Sequence, residues 1–138
     1  MNWKDRCFLY LDNEKLFEDS GHRTRFWELL GCYGEYPFFT KGLCKCMYLS
    51  AWDEEHFAIM LETLTSMSLG RETNTDDMRL QGDTLAEEQP DAEYYVFQLS
   101  NAFLDGKPFV LPDNALLEPE QRHTIQQALK AAEVIENI

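Results

Sequence analysis

Between Ser50 and Gly70 the chain carries a strong amphipathic helix signal, which does most to limit what it can fold into. Trp52, Phe57, Met60, Leu61, Leu64 and Met67 follow the spacing of one helical stripe, while Glu54, Glu55, Glu62 and Thr65 fall largely off it. Ser50 and Asp53 form a capping pattern at the front, the hydroxyl placed to accept from the third backbone N–H. Gly70 supplies the stop. A helix over about 51–69 therefore needs other elements on which to bury its stripe.

Further helices are expected on both sides. Pro119 suits a first helical position, Glu118 and Glu120 suit the positive end of the dipole, and Ile125, Ala128, Leu129, Ala132 and Ile135 make a stripe behind them. Ser20 caps a helix over roughly 22–32 that holds Phe26, Trp27, Leu29 and Leu30. Trp3, Cys7, Tyr10 and Leu11 mark another over about 3–18, with Asp12-Asn13 as its weak point. The stretch FFTKGLCKCMYL after Pro37 is ambiguous, because Gly42 weakens a helix. Tyr94 to Leu99 favours a strand by residue type. Pro90, the acids after it, and Gly106 with Pro108 nevertheless frame residues 91–105 as a helix.

These signals imply an all-α fold, a single compact bundle of five to six helices, with 1–138 as one domain. At 138 residues and 44% hydrophobic content the chain has material for one packed core. Its net charge of −13 is unevenly spread: residues 71–93 contain 8 acids and only 2 bases, with few apolar residues and no clear periodicity. We expect a long acidic surface loop over about 71–90. The scattered bases argue against nucleic acid, and the surplus of acid favours a basic protein partner while repelling anionic lipid. No apolar run reaches the roughly 18 residues of a membrane span. The short CFLYL segment is no signal-peptide core, so a cytoplasmic protein with reduced thiols is expected.

Chemistry-bearing side chains concentrate between Gly21 and Phe57, which hold three of the four cysteines and two of the three histidines. Cys44 and Cys46 form a C-x-C pair, with Cys32 and His56 as the nearest further ligands. Structural zinc normally uses wider spacing, and on a helix the two thiols would point to nearly opposite sides. Reduced cysteines acting as small core hydrophobes are the simpler expectation, and a thiol activated by Lys45 the sharper one.

Each histidine has a carboxylate three residues earlier: Asp19 before His22, Asp53 before His56, Glu120 before His123. At that spacing the two side chains share a helix face, as in the Glu-x-x-His pairs of di-iron four-helix proteins. Asp53, His56, Glu120 and His123 are thus the weak metal candidates. Capping of first turns explains the acids with fewer assumptions and leaves the histidines surface or half-buried. No cofactor is called for.

Phosphate-binding glycine motifs and the G-x-S-x-G elbow are absent from the sequence. Cys46 and His56 are the weak candidates for a thiol-dependent enzyme. A non-catalytic interaction or regulatory module is the preferred expectation. Tyr33, Tyr36, Phe38 and Phe39 cluster around Gly34 and Pro37, in a segment unlike regular helix. They would either plug the bundle end or form a partner-binding patch, which could also support a homodimer.

Overall fold

A computed structural model describes residues 1–138 and contains helices but no strand. The helices are α1 (Trp3–Asn13), α2 (Ser20–Tyr33), α3 (Lys41–Ser50), α4 (Glu54–Ser68), α5 (Asp76–Glu88), α6 (Pro90–Asp105) and α7 (Pro119–Glu136). Four begin where a short polar side chain can accept an unpaired N–H of the first turn. Asn2 receives Asp5 N–H, Asp19 receives His22 N–H, Thr40 receives Leu43 N–H and Asp53 receives His56 N–H, at 2.7–3.0 Å. Two start points differ from expectation by a few residues. Asp19, not Ser20, caps α2; Asp53 caps α4, because Ser50 is still the last residue of α3.

The ambiguous stretch after Pro37 is α3, and it lies at the centre of the bundle. Leu43, Cys44, Cys46, Met47, Tyr48 and Leu49 are all buried, and α3 packs against α2, α4, α6 and α7. Gly42 is what makes its approach to α6 so close. A Cβ there would lie 2.4 Å from the Phe103 carbonyl oxygen, so the residue that looked like a helix breaker is a helix contact. Phe26, Leu29, Leu30, Met60, Leu64, Leu99, Ile125, Ala128 and Ile135 complete one continuous core.

Residues 91–105 are indeed helical, as α6, closed by Gly106 in the left-handed conformation (φ 66°). The expected acidic loop over 71–90 is overturned: thirteen of those residues form α5, and the helix count is seven. Met78, Gly82, Leu85 and Ala86 follow an i, i+4, i+7, i+8 pattern, a helical stripe disguised by having glycine as a member. Gly82 faces the Phe97 ring of α6, where a Cβ would come within 2.9 Å. Asp76 and Asp77 sit in the first turn, favoured by the dipole, and Arg79 forms a two-bond ion pair with Asp105 of α6. No helix is long and apolar enough to cross a membrane.

Candidate functional site

The N-terminal ends of α2, α4 and α7 converge on one cleft. It is lined by Glu18, Asp19, Trp52, Asp53, Glu120, Gln121 and Thr124, and encloses about 280 Å³. Asp19 and Asp53 are there because they cap α2 and α4, and Glu120 because it occupies the first turn of α7. Arg25 fixes the α3–α4 link beside the cleft by donating to the carbonyls of Ala51 (2.7 Å) and Trp52 (2.9 Å). His123, on the rim, is largely exposed and places Nε2 3.2 Å from Glu18 Oε2. Two acceptors in this cleft, Glu18 Oε1 and Gln121 Oε1, are buried with no hydrogen-bond partner.

His56 stands directly behind the cleft. Its Nδ1 lies 2.7 Å from Asp53 Oδ1 and its Nε2 2.8 Å from Glu93 Oε2, with the Trp52 ring 4.5 Å from the imidazole. Burial opposes the charged ring, but hydrogen bonds to Asp53 and Glu93 outweigh it and carry the pKa up to about 9. The ring is therefore an imidazolium at neutral pH, both N–H groups donating to carboxylates. Burial likewise opposes ionisation of Asp53, and its bonds to His56 hold that carboxyl below its ordinary value. Glu93, only 9% exposed, opens the far side of His56 onto a second, apolar groove between α3, α4, α5 and α6.

His22 is the opposite case. Its Nδ1 accepts the Glu18 N–H at 3.1 Å, so Nε2 carries the proton and donates to the Tyr48 carbonyl at 2.8 Å. The ring is fully buried among Phe17 and Tyr48, and burial pushes its pKa down. The expectation of surface or half-buried histidines thus fails for His22. Tyr48 also donates its hydroxyl to the Leu16 carbonyl, so α3 and His22 together pin the segment that delivers Glu18 and Asp19 to the cleft.

The weak metal candidates are only partly brought together. Asp53 and Glu120 share the cleft, but His56 is turned to Glu93 and His123 to Glu18. Nowhere do three or more histidine, cysteine, aspartate or glutamate side chains gather in a geometry that would hold a metal ion. Cys46 does not meet His56 in a hydrogen bond. It is fully buried, with Sγ 3.3 Å from the Ser100 carbonyl oxygen, and burial pushes its pKa up to about 12. Cys44 faces the other way, 4.0 Å from Cys7 Sγ. The Cα atoms of α1 and α3 nowhere approach within 8 Å, too far for those two sulfurs to join without backbone movement.

The aromatic candidates lie at the other end of α2. Tyr33 is buried and hydrogen-bonded to Thr65 Oγ1 at 2.7 Å; Phe38 and Phe39 are half-buried, Phe39 edge-on to Trp3. Tyr36 is the exposed member, stacked on Phe38 with ring centres 5.2 Å apart. Glu18, Gln121 and Glu93 were not singled out in the sequence. Glu18 carried no local signal, and Glu93 reaches His56 from 37 residues away. A comparison with protein-family models, curated proteins and solved structures returns no match to this chain.

Proposed function

We propose that the protein is a non-catalytic interaction module whose partner is a basic protein segment, with a lysine or arginine side chain seated in the cleft at the start of α2, α4 and α7. What supports this most is the pair of unpartnered buried acceptors, Glu18 Oε1 and Gln121 Oε1, beside three further carboxylates in one recess. An unsatisfied buried acceptor costs about 1–3 kcal/mol, and a donor from a partner's side chain removes that cost. The chain's net charge of −13 attracts a cationic segment over long range before contact. Trp52 adds an aromatic wall suited to the stem of such a side chain.

The partner-binding role first assigned to Tyr33, Tyr36, Phe38 and Phe39 narrows to the Tyr36–Phe38 stack, in which Tyr36 is exposed and Phe38 half-buried, as a surface for self-association. The four free cysteines accord with a reducing compartment, proposed here as the cytoplasm.

Calorimetric titration with an arginine-rich peptide and a charge-matched lysine-rich peptide tests the cleft. Glu18→Gln with Glu120→Gln should weaken either peptide about tenfold, beyond the loss from removing two charges elsewhere, such as Glu87→Gln with Glu88→Gln. Equal losses in the two double variants would leave only diffuse electrostatics and defeat the cleft as the contact.

A further inference from the structure

The groove behind His56 has the make-up of a small-molecule site. Four helices border it. Its apolar wall is Ile59, Met60, Met78, Leu85, Val96 and Phe97, and it holds about 60 Å³ of open space. On a scale of roughly 15 Å³ per water, that admits a compact apolar group of about four heavy atoms. Water is poorly served there, since most of the wall offers no hydrogen bond.

One end of the groove is polar. Glu93 is nine-tenths buried and lines the groove; its Oε2 is bound to His56, whereas Oε1 makes no hydrogen bond within the protein and keeps some accessible surface. The side chains of Ser50 and Asn101 reach the same space and make no hydrogen bond within the protein. The charges do not balance either. His56 is shared between two carboxylates, Asp53 and Glu93, and the groove's only other cation, Arg79, is already paired with Asp105. A neutral alcohol would satisfy the oxygen, but only a cation satisfies the charge as well.

We infer that this groove binds a small protonated amine, its ammonium group donating to Glu93 Oε1 and Asn101 and its short aliphatic body lying against Ile59, Val96 and Phe97. The site is separate from the protein-binding cleft, with the Asp53–His56 pair standing between them: Asp53 lines the cleft and His56 the groove. Gly82 belongs to the same wall: without a side chain it lets α5 rest on the Phe97 ring, where a Cβ would come within 2.9 Å.

The probe is isobutylammonium, with isobutanol as its uncharged counterpart, each titrated into isotopically labelled protein at neutral pH in about 0.15 M salt to screen diffuse charge. The amine should give saturable amide shifts at Ile59, Val96 and Asn101, at a concentration about tenfold below that needed by the alcohol, the margin of a charged over a neutral hydrogen bond. Glu93→Gln should erase the amine's advantage while the alcohol still binds, which also shows that the variant is folded. Ile59→Phe, which fills the apolar wall and leaves Glu93 and His56 in place, should weaken both probes about tenfold. Equal saturation by amine and alcohol overturns the inference. So do amine shifts that never saturate, spread over the acidic surface, or survive Ile59→Phe. Shifts confined to Glu18 and Gln121 would place amine binding in the cleft instead, and would overturn the groove site alone.

Discussion

Two histidines of similar sequence context have opposite protonation behaviour, and each makes a separate pH limb. His56 is held charged, its pKa raised from 6.5 to about 9 against the pull of burial. Its contribution is fully present below the unfolded value of 6.5 and is lost as pH rises through 9, amounting to roughly 3 kcal/mol at about 1.4 per pKa unit. Thermal melts of the wild type should lose stability between neutral pH and about pH 9, and those of His56→Gln should be flat over the same range. A parallel decline in both would remove His56 as the cause. His22 is held neutral, its pKa lowered chiefly by burial, so the unfolded chain binds its proton first. Stability should therefore fall as pH drops below 6.5, and ring ¹⁵N shifts should report the Nε2–H tautomer throughout the neutral range. That both aspartates stand at helix starts was legible from the order of residues alone, although the caps were read there as Ser20 and Ser50. Which ring would be charged was not, because Glu93 and the Tyr48 carbonyl arrive from other helices.

Among the helices, glycines separate close contacts from spare positions. Gly42→Ala would drive a methyl against the Phe103 carbonyl, a backbone atom with no rotamer to change. It should cost about 2 kcal/mol or more in urea unfolding, as overpacking usually does. Gly31 lies within α2 with nothing near its missing Cβ, so Gly31→Ala should stabilise by about 0.5–1 kcal/mol through helix propensity. If both substitutions destabilise alike, the close approach of α3 to α6 is not what Gly42 provides. The same logic accounts for the misjudged acidic segment. Helix α5 buries only Met78 and Ala86, and its Gly82 counts as polar or breaking in any reading by residue type. Only the Phe97 ring on the next helix turns that glycine into a packing position.

For the whole molecule, charge is the dominant long-range force. With 25 acids against 12 bases, the folded state is under self-repulsion that salt relieves. Raising ionic strength from about 0.01 M to 0.5 M should raise the melting temperature by a few degrees, while weakening any basic peptide at the cleft. A melting temperature that falls with salt would mean that the ion pairs of Lys45 with Glu136 and Arg79 with Asp105 outweigh the repulsion. Sedimentation at high protein concentration should show reversible dimers through Tyr36 and Phe38, abolished in Tyr36→Ala/Phe38→Ala. A strict monomer in the wild type would remove self-association.

The order of residues by itself determined that the chain is helical, where α2, α4, α6 and α7 lie, and that acids gather at helix starts. Those features depend on propensity, capping and periodicity, which act within a turn or two of the backbone. Tertiary structure decided what they add up to. It brought three helix starts into one cleft, set Glu93 against His56 across 37 positions, buried His22, and turned two glycines into helix contacts. Such outcomes depend on which side chains and carbonyls meet across helices, and local pattern carries no record of that meeting.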